Sequence, residues 1–214
     1  MASPQSRNRF SQVDSSGTWP STYLLVMFAA CGWGLSWAMG CSVVFFVGST
    51  LGWIALGATG GVVTGLMLHW AQPLLQTRQV STVVIGWALG GAAAISVTNY
   101  DILTGWLVIG TLGGTITGLV LLATKRAFLS FRTIAIVVGW VLGGVIGFGL
   151  GSTGGRIIGT YLAGTMGRWA PFLVWAIAWA IAGGVTGLIG TAVTLWAVPL
   201  PKPDTSRNRE RCHS

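Results

Sequence analysis

Six apolar segments of membrane-spanning length are the feature that most constrains how this chain folds. A transmembrane helix needs roughly 20 mainly apolar residues, and runs of about this length repeat along the chain between short polar breaks. Only 7% of the 214 residues are charged, whereas a soluble domain carries roughly 25%. We therefore predict an all-α integral membrane helical bundle with about six transmembrane helices, at 21–47, 51–70, 80–97, 103–124, 133–153 and 171–198.

The two ends of the chain differ in composition from this apolar part. The first 20 residues are polar and are expected to form a flexible tail. Near the other end, Pro199, Pro201 and Pro203 are expected to stop the last helix, because proline lacks the N–H group that a helix interior needs. The predicted domains are an N-terminal tail at 1–20, a membrane domain at 21–198 and a charged C-terminal tail at 199–214.

The formal net charge of +8 comes from basic residues in the tails and in the polar breaks. They do not form one basic face, so nucleic acid is not an expected partner, whereas the lipid bilayer is. Lys and Arg are enriched in cytoplasmic loops, and a cytoplasmic N-terminus places Arg78 and the Lys125–Arg132 break on that side. We predict that both termini are cytoplasmic, although this places Arg156 and Arg168 outside.

An internal repeat extends through the membrane domain. The first helix of each predicted pair contains Gly-Trp-x-Leu, and the second contains a tryptophan eleven residues before a threonine. These positions are Trp33, Trp53 and Thr64, then Trp87, Trp106 and Thr117, then Trp140, Trp175 and Thr186. Several independent positions thus keep one register, which predicts three repeated helical hairpins, at about 21–79, 80–132 and 133–198. The hairpins are expected to be arranged with pseudo-threefold symmetry or as a curved row.

Small residues recur at every fourth position, which places them on one side of a helix where another backbone can approach closely. The glycines expected to form such glycine-zipper contacts are Gly57, Gly61, Gly65, Gly110, Gly114, Gly118, Gly139, Gly143, Gly147, Gly151, Gly183 and Gly187. We expect equivalent packing at Gly61, Gly114 and Gly183 in the three hairpins.

The longest run of small residues extends from Gly139 to Gly167. Each four-residue step advances about 400° around a helix, so the stripe drifts and no single straight partner is expected to follow it throughout. We expect residues 139–151 to pack inside the membrane. Residues 155–167 are expected to project from it or bend onto its surface, and to offer a groove to a different partner.

Three polar side chains are candidates for binding. His69 extends the stripe of Gly57, Gly61 and Gly65, so it is either an axial ligand for a haem or pigment or an interfacial histidine at a helix end. Arg156 and Arg168 are either contacts for a partner or an anion, or solvated residues outside the membrane core. The three cysteines have no metal-binding spacing, so no metal is expected.

The sequence contains no recognisable catalytic set, so an enzyme is not expected. We interpret the chain as a non-catalytic accessory or structural subunit that packs against other membrane proteins or itself, with lipid, chlorophyll or carotenoid as open choices of ligand. The alternative is a small channel or transporter built on the threefold hairpin repeat. A transporter typically has polar or interrupted helices at the membrane midplane, and the polar candidates here are mainly the three threonines.

The Gly-Trp-x-Leu-Gly-Gly and Gly-Gly-x-x-Thr-Gly-Leu motifs between residues 32 and 188 are similar to those of uncharacterised glycine- and tryptophan-rich multi-pass proteins of cyanobacteria. This resemblance implies a plasma or thylakoid membrane location, and it carries no function with it.

Overall fold

A computed structural model describes residues 21–71, 75–98, 102–125, 131–165 and 167–198. This part of the chain is helical, with six long α-helices and one short 3₁₀ turn at Gly167–Trp169. The helices are α1 (Thr22–Phe46), α2 (Ser49–Ala71), α3 (Thr77–Thr98), α4 (Ile102–Lys125), α5 (Phe131–Leu162) and α6 (Ala170–Ala197). The two predicted tails and Asp101 lie outside the described residues.

All six helices are long and apolar enough to cross a membrane. The all-α architecture with six such helices was predicted from the sequence, and most helix ends lie within three residues of the predicted ones. The exception is α5, which continues to Leu162 instead of ending near residue 153. It continues because its small residues stay in contact with α6 beyond that point, at Gly155 and Gly159.

The helices form a closed ring in which each packs mainly on its two neighbours in sequence, and α6 packs on α1. Neighbours are antiparallel, including the closing pair: Gly34 of α1 faces Ala180 of α6, whereas Gly187 faces Ala29. The ring follows from short connections, which favour antiparallel neighbours. For example, Gly48 has a φ of 130°, a conformation that glycine adopts without strain, and it joins α1 to α2 in a tight turn.

The alternating directions give the bundle two ends. At the first end lie the starts of α1, α3 and α5 and the ends of α2, α4 and α6. At the second end lie the ends of α1, α3 and α5 and the starts of α2, α4 and α6. Because α5 has 32 residues and α6 has 28, they measure about 48 and 42 Å, whereas the other four helices measure about 33–38 Å. We call residues 150–162 and 167–176, at the second end, the α5–α6 extension.

Candidate functional site

Three tryptophans from the odd-numbered helices meet in the middle of the bundle. Trp33 of α1, Trp87 of α3 and Trp140 of α5 are completely buried, and their ring centroids are 4.7, 5.1 and 4.8 Å apart in the three pairs. Such tilted and edge-to-face pairs are the arrangements that aromatic rings prefer. We call this group the first tryptophan triangle.

Each indole of the first triangle donates a hydrogen bond within its own hairpin. The Nε1–H groups of Trp33, Trp87 and Trp140 donate to threonine Oγ1 atoms at 3.1, 3.2 and 3.2 Å. Each threonine in turn donates to the carbonyl of the glycine four residues earlier in its helix. The acceptors are Thr64, Thr117 and Thr194. The triangle is therefore held in place by hydrogen bonds that need no water.

A second group lies about one helical turn toward the second end. Trp53 of α2, Trp106 of α4 and Trp179 of α6 have centroid distances of 4.7, 5.0 and 6.1 Å, and we call them the second tryptophan triangle. Trp37 of α1 is stacked on Trp106, with centroids 3.7 Å apart and ring planes inclined by 12°. Indole rings from all six helices thus fill the centre of the bundle.

Two of these indoles have no hydrogen-bond partner among the described residues. The Nε1 atoms of Trp37 and Trp106 are buried without an acceptor, as is the Oγ1 atom of Thr191. Most buried polar groups in folded proteins are paired. Trp37 and Trp106 thus gain apolar contact by stacking, but their Nε1–H groups have no acceptor among the described residues.

The third hairpin has a different register from the predicted one. Trp175 was matched to Trp53 and Trp106, but it is 53% exposed, and the indole that packs with them is Trp179, one turn later. Thr186 was matched to Thr64 and Thr117, but its Oγ1 donates to the carbonyls of Ala182 and Gly143. The acceptor for Trp140 is Thr194.

A sequence signal for this register was present but was missed. Each of the accepting threonines follows a glycine by four residues, and that glycine faces the ring of the tryptophan in its own hairpin. The pairs are Gly60 and Thr64, Gly113 and Thr117, and Gly190 and Thr194. Thr186 follows Ala182 instead, so the Gly-x-x-x-Thr spacing excludes Thr186. It leaves both Thr191, which follows Gly187, and Thr194 as candidates.

The twelve predicted packing glycines are all buried against a neighbouring helix. Gly57, Gly110 and Gly183 face the main-chain carbonyls of Trp87, Trp140 and Trp33, the residues of the first triangle. Gly61, Gly114 and Gly187 face the Cβ atoms of the same three tryptophans. The glycine equivalent to Gly61 and Gly114 is therefore Gly187, and the prediction of Gly183 was wrong by one turn.

The predicted change of partner along the longest glycine run was also wrong. From Gly139 to Gly159 the stripe faces α6 throughout, and the facing residues of α6 are three or four apart when Ile189, which faces Gly143, is included. These residues are Val174, Ala178, Ala182, Thr186, Ile189 and Val193. When two helices contact each other at a spacing longer than 3.6 residues, they form a right-handed supercoil. Because α5 and α6 wind around each other in this way, α6 stays in contact with the stripe as the stripe drifts around α5.

Two apolar pockets lie at the second end, on either side of α6. The α5–α6 pocket has a volume of about 360 Å³ and is lined by α5, α6 and Trp37 of α1, with Ser152 and Arg156 among its residues. The α1–α2–α6 pocket has a volume of about 420 Å³ and is lined mainly by apolar residues, including Val44 and Leu56. Both volumes are in the range of small-molecule sites.

The two predicted arginine contacts lie at the second end and are exposed. The Nε of Arg156 donates to the carbonyl oxygen of Ser152, 3.3 Å away. Arg168 belongs to the 3₁₀ turn, where its guanidinium carbon lies 5.4 Å from the ring centroid of Trp169. Arg156 lines the α5–α6 pocket, whereas Arg168 does not.

His69 is exposed near the end of α2, beside Trp70. No group of three or more His, Cys, Asp or Glu side chains that could hold a metal is found among the described residues. Cys31 is exposed and Cys41 is buried, and both are free thiols. The described residues thus form no cluster of three such side chains around His69, and the four acidic residues lie outside the described ranges.

The fold and its centre define an all-α bundle of six apolar helices closed around stacked tryptophans, consistent with a multi-pass integral membrane protein. Comparison of the chain with protein-family models, with curated proteins and with solved structures found no match.

Proposed function

We propose that this chain is a non-catalytic accessory or structural subunit of a plasma or thylakoid membrane, which packs against other membrane proteins or against copies of itself. The main support for this proposal is that tryptophan side chains fill the centre of the bundle. A channel along the ring axis needs a path between the six helices, and the two tryptophan triangles occupy that position. Trp33, Trp87 and Trp140 are completely buried, so no open space separates the helices at the first triangle.

The proposed architecture is three copies of one helical hairpin around a pseudo-threefold axis. Its support is that each hairpin contributes one tryptophan to each triangle and one Trp–Thr hydrogen bond. Each hairpin also presents a glycine pair to the next tryptophan in the ring. The two tryptophans are 39 positions apart in the third hairpin and 20 and 19 apart in the first two, and the additional residues account for the α5–α6 extension. The accepting threonine of the third hairpin lies 15 residues after Trp179, whereas this spacing is 11 in the other two.

Glycine-mediated packing supports a rigid scaffold. Between membrane helices the attraction comes from close van der Waals contact and interhelical hydrogen bonds, because lipid is as apolar as the side chains. The outward faces present apolar side chains such as Leu35, Leu89 and Leu142, which are 67%, 58% and 49% exposed. These equivalent leucines of the three hairpins face away from the core and are available to lipid or to another membrane protein.

Native electrophoresis of mildly solubilised membranes tests this proposal. The full chain is expressed with two tags of different size, so that self-association gives mixed species and other partners give a species of constant composition. We expect the chain to migrate in a complex larger than a monomer. A lone monomer that conducts solute when reconstituted into vesicles would instead support the channel or transporter.

The proposed topology places both termini in the cytoplasm with Arg78 and Arg132, which lie at the first end. In a variant lacking the three native cysteines, single cysteines at positions 12 and 206 are expected to react with an impermeant maleimide only after the membrane is opened. A cysteine at position 164, in the α5–α6 connection, is expected to react from outside. Labelling of positions 12 and 206 from opposite sides would contradict a bundle of six spanning helices.

A further inference from the structure

We propose that the α5–α6 pocket binds an anionic glycerolipid, with an acyl chain along the pocket and the phosphate at Arg156. The inference rests on the proposed membrane placement and adds a ligand class to it. The pocket is lined by apolar side chains, among them Trp37, Phe148 and Trp179, and by Arg156.

The interior of the pocket suits an acyl chain. Its walls are glycine, alanine, valine and aromatic side chains of three helices, and an apolar cavity of this kind offers water few hydrogen-bonding partners. The polar side chains that line it, Ser152 and Arg156, both belong to the part of α5 nearest the second end. The pocket is therefore almost entirely apolar, and its few polar atoms come from α5, at Ser152 and Arg156. This arrangement fits a ligand that is mainly hydrocarbon with one charged group.

In a bilayer, the expected depths of Trp37 and Arg156 match those of a lipid's acyl chain and phosphate. Trp33 and Trp87 stand at the middle of α1 and α3, so the first triangle marks the midplane of a spanning bundle. The Cα of Arg156 is sixteen residues, about 24 Å, from Trp140 along the helix. Its side chain points back toward the membrane, because its Nε donates to the carbonyl of Ser152, which is about 18 Å from Trp140. On each side of the midplane the hydrocarbon core ends at about 15 Å and the headgroup region at about 20–22 Å. Trp37 is only one turn, about 6 Å, from Trp33. The pocket thus extends from the acyl-chain region to the headgroup region.

The charge of Arg156 favours a phosphate. The Nε of Arg156 is bonded to the carbonyl of Ser152, and the terminal nitrogens of the guanidinium have no hydrogen-bond acceptor among the described residues. The acidic residues Asp14, Asp101, Asp204 and Glu210 all lie outside the described ranges. A guanidinium binds phosphate oxygens with two parallel hydrogen bonds. A carotenoid hydrocarbon would fill the same walls without using this charge.

Native mass spectrometry of the purified, delipidated full chain tests the headgroup. Phosphatidylglycerol and phosphatidylcholine with identical acyl chains are titrated separately. We expect one phosphatidylglycerol to bind at least fivefold more tightly than phosphatidylcholine, since one basic residue near a lipid surface contributes about a factor of five. Arg156→Gln should remove this preference, whereas Arg168→Gln, an exposed arginine at the same end, should keep it. Equal binding of the two lipids, or equal loss in both variants, would overturn the proposal.

A second pair of variants tests the acyl chain. Ser152→Leu places a larger side chain in the pocket and should weaken phosphatidylglycerol binding, whereas Thr153→Leu, at the exposed neighbouring position, should not. Inorganic phosphate alone should not compete, because the chain supplies much of the affinity. Unchanged binding in Ser152→Leu, or full competition by phosphate, would contradict the site. Helix content by circular dichroism verifies that each variant is folded.

These outcomes are independent of the proposed assembly. A chain that binds no lipid in the pocket would still co-migrate with its partners on native electrophoresis, and a monomeric chain would still show the headgroup preference. Failure of one proposal therefore leaves the other testable.

Discussion

Replacing Trp33 with alanine is expected to lower the free energy of unfolding by about 3–5 kcal/mol, the range for deleting a fully buried aromatic side chain. Trp33 contacts both other members of the first triangle and donates its Nε1–H to Thr64. Its ring also lies against Gly60. Removing it leaves a cavity at the centre of the ring of helices, where no neighbouring side chain is free to fill the space.

The matched control is Trp196→Ala in α6, because Trp196 is 67% exposed and its loss should change stability by less than about 0.5 kcal/mol. Unfolding by sodium dodecyl sulfate in mixed micelles, followed by far-ultraviolet circular dichroism, measures both variants. Trp33→Phe should fall between them, since it keeps an aromatic ring but loses the hydrogen bond. Equal stability of the two alanine variants would show that the first triangle does not hold the bundle together.

The sequence was sufficient to predict the number, type and approximate limits of the helices. Apolar runs of bilayer length separated by polar breaks allow few alternatives, because an unpaired backbone in lipid costs several kcal/mol for each group. The contact of α6 with α1 was only one of two predicted alternatives, because it is present in a pseudo-threefold ring and absent from a curved row of hairpins. It joins residues far apart in sequence, such as Gly183 and Trp33, and no local pattern states which helix follows another around a ring.

The register of α6 was predicted incorrectly for a related physical reason. Trp175 and Trp179 are four residues apart, as are Gly183 and Gly187, so a shift by one turn places a tryptophan and a glycine on the same side of the helix in either case. The accepting threonine is shifted by two turns, to Thr194, so no single shift describes α6. Only the packing against α1 and α5 distinguishes the two choices. Arg156 was recognised from its charge alone, whereas its pocket depends on the spatial arrangement of α1, α5 and α6, which the sequence does not specify.

Replacing Gly147 with alanine is expected to destabilise the α5–α6 hairpin by about 1–3 kcal/mol, the usual cost of overpacking. A methyl group there would overlap the carbonyl oxygen of Ala182, which belongs to the backbone of α6 and has no rotamer to change. It would also lie 2.7 Å from Oγ1 of Thr186. That hydroxyl donates to the carbonyls of Ala182 and Gly143, so moving it breaks a bond between the two helices.

Gly149→Ala is the control, since a methyl group at Gly149 meets nothing within 4 Å. Both glycines are in the interior of α5 and two residues apart, so the gain in helix propensity, up to about 1 kcal/mol, is the same for both. The difference between the two unfolding free energies therefore measures the packing against α6 alone. We expect Gly149→Ala to be neutral or stabilising and Gly147→Ala to be less stable than the unmodified chain. Two variants of equal stability would mean that α5 and α6 do not approach each other at Gly147 as closely as this fold requires.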